Sequence, residues 1–125
     1  MAGDEGSAYG QILLVVGQIP RGRVATYGQV AWIVGAATPR MAGYALGGLP
    51  ADTEIPWQRV VNSRGGISPR GDPLETDRQR KLLAEEGVLF MPDGRIDLDL
   101  FGWAGPEPDW LEAHGFAVVP WRARR

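Results

Sequence analysis

An indole, a phenol and several guanidinium groups, rather than any nucleophile, are the side chains this sequence sets out in chemically useful order. The stretch Ile55-Pro56-Trp57-Gln58-Arg59-Val60-Val61 runs from a rigid proline through a large ring, an amide and a cation to two β-branched residues. That order fits an ordered loop entering a short strand, since a solvated linker gains nothing from an indole. The turn Asn62-Ser63-Arg64-Gly65-Gly66 and then Ile67 follow. Packing offers a plainer account, with Trp57 filling the core and Arg59 an ordinary surface charge. With no cysteine in the chain, disulfides, thiolate metal sites and thiol nucleophiles are excluded together. His114 is the single histidine and no HExxH-type spacing surrounds it, so no metal and no cofactor is expected.

The formal net charge of -2 argues against a nonspecific polycation, but the charges are unevenly spread. Residues 18–71 hold Arg21, Arg23, Arg40, Arg59, Arg64 and Arg70 against only Asp52 and Glu54, while acidic residues gather at Asp4 and Glu5, from Asp72 to Asp77 and from Asp93 to Glu112. Such a dipolar chain can present one anion-seeking face and stay soluble, although chance scatter of surface arginines gives similar counts. The 125 residues, 44% hydrophobic, suit one domain with a real core. There is no run of 18 apolar residues, and Met1 to Ser7 is acidic and small, so neither a membrane span nor a secretory signal is indicated; a soluble cytoplasmic protein is expected.

The elements that would position these residues are short. Over residues 7–19, Ile12, Leu13, Val16 and Ile19 recur at helical spacing, and Pro20 is the expected stop. Gly22 supplies turn freedom between Arg21 and Arg23. Thr26-Tyr27-Gly28-Gln29 fits a capping box, so a helix should begin at Tyr27, run to about Val34 and bury Val30, Ala31 and Ile33 or Val34. Thr38-Pro39 caps and starts a second helix through Leu46, giving a helix-turn-helix pair. That helix is rich in Ala42, Gly43, Ala45, Gly47 and Gly48, whose glycines cost about 1 kcal/mol each in helix stability. A surface so bare admits something flat or narrow, with Arg40 and free amides offered to a phosphate or base; close internal helix packing is the competing account.

Val60-Val61 and Ile67 read as two short strands joined by the Asn62–Gly66 turn. Asp72-Pro73-Leu74-Glu75 opens a helix ending near Glu86 with Gly87 as breaker, with Leu74, Leu82 and Leu83 inward and an Asp77–Lys81 surface pair. Val88–Leu100 reads as a small hairpin or two extended pieces around Pro92-Asp93-Gly94. Phe101, Trp103, Trp110, Leu111, Phe116, Val118, Val119 and Trp121 make the tail too apolar for a disordered arm, so it should pack back on the domain while Arg122, Arg124 and Arg125 fray.

Four ordered motifs, Ile19-Pro20-Arg21-Gly22-Arg23-Val24-Ala25-Thr26-Tyr27-Gly28-Gln29-Val30-Ala31, Arg40-Met41-Ala42-Gly43, Ile55–Val61 and Leu82-Leu83-Ala84-Glu85-Glu86-Gly87, resemble the DNA-binding domain of O6-alkylguanine-DNA alkyltransferases. The chain looks closest to the alkyltransferase-like proteins, in which the reactive cysteine of a P-C-H-R-V motif is replaced, often by tryptophan. The resemblance spans roughly residues 8–90, and Asp99-Leu100-Phe101-Gly102-Trp103 resembles an ending common in the short group. It implies a mainly α fold with short β elements, winged-helix-like in its helix-turn-helix, forming a single domain over 1–125 with 101–125 as a packed C-terminal extension. Departures are Gln58 where active enzymes carry a proton-relaying histidine, Leu49 in place of an asparagine, and a connection before Arg40 one residue shorter with its proline displaced.

By the same resemblance, Trp57 occupies the alkyl-acceptor position, and the lesion pocket comprises Trp57, Tyr27, Gln58, Pro56, Arg59 and Ser68. Tyr27 helps rotate the target nucleotide through its phosphate, Arg40 is the finger that replaces the extruded base, and the DNA-binding set is Tyr27, Arg40, Met41, Gly43, Ala45, Arg64 and Arg70. Arg59 would be structural and Glu86 the carboxylate of the former cysteine-activating network. The function implied is nonenzymatic: minor-groove binding of duplex DNA containing O6-alkylguanine, nucleotide flipping, and signalling to nucleotide excision repair proteins, by a monomer without membrane attachment. Rival readings are a helix-turn-helix regulator of undamaged DNA, a glycosylase or transferase using Glu85 or Glu86, and a purely structural or protein-binding module.

Overall fold

The computed structural model describes residues 7–69 and 72–118. Helix α1, Ala8–Val16, starts on Ser7, whose hydroxyl accepts from the Gly10 amide. Strand β1 is Ala25–Thr26, and α2 follows without a break as Tyr27–Val34. Helix α3, Pro39–Gly47, opens with Thr38 Oγ1 accepting from the Met41 amide at 3.2 Å. A single 3₁₀ turn, Trp57–Arg59, leads into strand β2, Val60–Val61. Helix α4 is Pro73–Glu85; two short helices, α5 at Leu98–Phe101 and α6 at Pro108–Ala113, complete the order.

The two strands pair in parallel, Ala25 with Val60 and Thr26 with Val61. Parallel strands need a long crossover, and here α2 and α3 supply it, packing on each other and both on α1. Because neighbouring strand residues face opposite ways, the ribbon divides the interior. Ala25 and Val60 join the larger core with Ile12, Val16, Val30, Ile33 and Leu46, whereas Val24 and Val61 join Leu83, Val88 and Ile96 on the other side. The tail closes both. Val24 donates its amide to Phe101 O and accepts from Trp103 N, and Leu111 and Phe116 are buried in the larger core.

Several expectations need correction. Helix α1 ends at Val16, with Gly17 N donating to Leu13 O, so Ile19 is buried from the following turn and Pro20 is not the stop. Only half of the capping box forms: Thr26 Oγ1 accepts from Gln29 N at 3.0 Å, but the Gln29 side chain is buried and donates to Trp103 O at 2.8 Å instead of reaching back. Ile67 forms no strand; the ladder partner of Val60-Val61 is β1. The turn between them is real, closed by Asn62 N to Gly66 O at 2.9 Å, and Gly65 holds φ +83° where a Cβ would strike Ile96 O. Leu74 is 73% exposed, because the first turn of α4 projects beyond the core, and no Asp77–Lys81 bridge within 4 Å forms. The hairpin at Pro92–Gly94 is present, with Phe90 bridged to Ile96, but Leu98–Phe101 is helical behind its Asp97 cap. Val118 is half exposed, and Val119, Trp121 and the terminal arginines lie outside the described residues.

Candidate nucleic-acid interface

Parallel pairing sets the site. Trp57 stands just before β2 and Tyr27 just after β1, so the two rings share one concavity of about 870 Å³ although 30 positions separate them in sequence. Its wall also takes Arg40, Gly43, Tyr44 and Gly47 from α3, Leu49, Pro50 and Ala51 from the next loop, Ser68 and Pro69, and Glu75 and Arg78 from α4. The volume falls in the range of sites that enclose a small organic group.

Trp57 serves both accounts offered for it. It is 7% exposed and packs in the larger core, yet its ring also walls the concavity. The Arg78 guanidinium lies 5.5 Å from the ring centroid, and Arg78 Nη2 donates to Ala51 O at 3.1 Å. On α3, Arg40 folds back over Tyr44, with Nε and Nη2 donating to the phenol oxygen at 3.1 and 3.0 Å.

The small residues of α3 split by face. Ala42 and Ala45 are buried in the core, so close internal packing explains them. Gly43 and Gly47 line the concavity, and a Cβ on either would meet nothing within 4 Å. Internal packing therefore does not require these glycines. Gly43→Ala is expected to raise stability by up to about 1 kcal/mol while weakening binding to any duplex, read by thermal melting beside a DNA titration. Unchanged DNA affinity would mean that nothing approaches this face closely.

Three residues expected at the pocket do not line it. Gln58, Arg59 and Pro56 are absent from the concavity wall. Arg59 Nε donates to both Glu86 oxygens at 2.9 and 3.1 Å, its Nη1 donates to Ile19 O at 2.7 Å, and Gln58 Nε2 donates to Glu86 Oε2 at 2.8 Å. The Gly22 amide adds a bond to Oε1 at 2.9 Å, from a turn where Gly22 holds φ +83°. Burial pushes the Glu86 carboxyl up, but the bonds from Arg59, Gly22 and Gln58 outweigh it and hold the group below the ordinary carboxylate value. Glu86 thus braces the 3₁₀ turn from behind, and Gln79 Nε2 braces it further through Gln58 O at 3.1 Å and Val60 O at 2.9 Å.

Other expected contacts scatter. Met41 is half-buried against the larger core, and Arg64 lies on a separate depression with Ser63 and Arg95. Arg70 lies outside the described residues. Glu85 and Glu86 do not line the concavity, whereas Glu75 does. Sequence reading missed Tyr44, Glu75 and Arg78. Tyr44 stands one helical turn from Arg40, and Glu75, Arg78 and Leu82 form an i, i+3, i+7 stripe, the only signal that could have marked that face.

The family model for the DNA-binding domain of 6-O-methylguanine DNA methyltransferase matches residues 7–88. The chain belongs to this family. Within it, this alkyltransferase-like chain is 44% identical over 94 residues to a DNA base-flipping protein of Vibrio parahaemolyticus, covering 74% of this chain and 92% of that protein. Alkyltransferase-like protein 1 of Schizosaccharomyces pombe is 43% identical over 81 residues, covering 64% and 75% respectively. The crystal structure of S. pombe Atl1 in complex with damaged DNA containing O6-carboxymethylguanine matches with a TM-score of 0.70 at 38% identity, covering 77% of this chain and 94% of that one. The mainly helical fold with its two-stranded ribbon is that of the alkyltransferase DNA-binding domain.

Proposed function

We propose that this chain recognises O6-alkylguanine in duplex DNA by everting the nucleotide into the concavity beside Trp57, and that it leaves the alkyl group in place. The observation that carries this is the convergence of indole, phenol and arginine on one hollow below a glycine-faced helix. A base inside a duplex cannot reach such a hollow until it is rotated out, at a cost of about a few kcal/mol that is lower for a damaged pair. Arg40 fills the gap, Tyr27 and the α3 amides hold the backbone, and the bare face of α3 sits in the minor groove. Trp57 gives the alkylated base an apolar wall. No cysteine exists to accept the alkyl group, and an indole does not displace it from oxygen. The similarity to base-flipping proteins and to a structure bound to alkylated DNA supports the reading. Binding without turnover requires a successor, and nucleotide excision repair proteins are the proposed recipients.

A titration with matched duplexes containing guanine or O6-methylguanine, read with a base-flipping fluorescent reporter, tests the reading. Preferential binding with a reporter signal is expected; equal binding without one would refute it. Transfer of labelled methyl from the duplex to the protein would sink the nonenzymatic part.

Because Trp57 is also core, truncation to alanine would cost about 3–5 kcal/mol and confuse binding with folding. Trp57→Leu keeps an apolar, though smaller, side chain in the core and is expected to lower the O6-methylguanine-to-guanine affinity ratio by about tenfold, more than it lowers binding to the guanine duplex. Equal losses on both duplexes would make the ring structural only.

A further inference from the structure

Of the two described cations on the concavity wall, Arg78 makes the fewer hydrogen bonds. Its guanidinium offers five N–H donors and donates one hydrogen bond, to Ala51 O. Among the described residues no carboxylate lies within 4 Å of it, the ion pairs there being Arg59–Glu86 and Arg95–Asp93, although Glu75 stands on the same wall three positions earlier. Arg40, the other described cation of that wall, is turned onto the Tyr44 phenol. Arg78 sits over the ring of Trp57, which walls the hollow proposed to receive the alkylated base, so its free donors border the space in which an O6 substituent would lie.

Resting on the function proposed above, we infer that Arg78 makes the pocket selective for O6-alkyl groups ending in an anion, a carboxylate foremost, over neutral groups of the same size. Duplex DNA carries about one negative charge per 1.7 Å, so an anionic adduct adds to an already unfavourable potential unless a cation not engaged with phosphate meets it. A planar guanidinium suits a carboxylate, pairing it through two parallel N–H bonds. Glu75 works against the same anion and sets a limit on the preference.

The test compares duplexes identical except for the adduct: guanine, O6-carboxymethylguanine and its neutral isostere O6-carbamoylmethylguanine. Phosphate contacts are common to all three and cancel in the affinity ratios. Wild type is expected to prefer the carboxymethyl over the carbamoylmethyl duplex by about fivefold, the scale of a partly exposed charge pair. Arg78→Met, which keeps the stem over the indole, should bring that ratio to about one, Arg78→Lys should keep part of it, and Glu75→Gln should raise it. A ratio of one in wild type, or an equal ratio in wild type and Arg78→Met, would overturn the inference while both adducts still outbind guanine. If neither adduct outbinds guanine, the proposed function fails and the inference with it.

Discussion

Replacing Arg40 with alanine is expected to lower affinity for an O6-methylguanine duplex by about 30- to 100-fold while the melting temperature of the protein stays nearly constant. The two halves of this result have separate causes. Everting a nucleotide leaves a gap in the stack worth about a few kcal/mol, and the proposed role of Arg40 is to fill it. Its contacts within the protein are local: Tyr44 is on the same helix, one turn away, and the side chain is exposed. Surface changes of that kind usually shift stability by no more than about 0.5 kcal/mol. Arg40→Lys keeps the charge but not the plane, so it should recover only the part of the affinity that depends on salt. Binding by fluorescence anisotropy and unfolding by circular dichroism separate the two effects. A large drop in melting temperature with affinity intact would assign Arg40 to the fold.

Glu86→Ala is expected to have the opposite signature, costing about 3–5 kcal/mol of stability, a large share of a typical total of about 5–15 kcal/mol. The carboxylate is 4% exposed and receives bonds from Arg59, Gln58 and Gly22, so its loss strands a guanidinium that is itself only 16% exposed. Glu86→Gln should cost less, because the amide can still accept on one side. It also removes a titration whose sign is fixed. The folded carboxyl sits below its ordinary value of 4.5, so between the two values the unfolded chain binds a proton that the folded chain does not. The contribution is present in full above the ordinary carboxyl range and is lost as pH falls through the lower, folded value. Melting temperatures measured from about pH 3 to 7 should therefore fall more steeply on acidification for wild type than for Glu86→Gln. Parallel curves would mean that Glu86 titrates alike in both states.

Local chemistry was legible along the chain because local interactions produce it. Thr26 and Thr38 cap α2 and α3 as their side chains and positions require, Asp72-Pro73 opens α4, and Gly87 follows its end at φ +92°. Recurring motifs identified the family. Helix α1 showed the limit of periodicity: Ile19 keeps the hydrophobic spacing after the helix has already ended at Val16, since burial rather than hydrogen bonding is what the pattern records.

The sequence by itself determined the main helices and their caps, the absence of cysteine and the presence of Trp57, Tyr27 and Arg40. Tertiary structure alone decided what each faces. Parallel pairing of β1 with β2 put Tyr27 beside Trp57, and no spacing rule foretells a partner across a crossover of two helices. The fold turned Arg59 and Gln58 backward onto Glu86 and brought Arg78, 21 positions beyond Trp57, over the indole face. A helix offers each side chain a face but does not say what will be packed against it. That choice belongs to the long-range contacts which close the core, and the side chains lining this concavity inherited their neighbours from it.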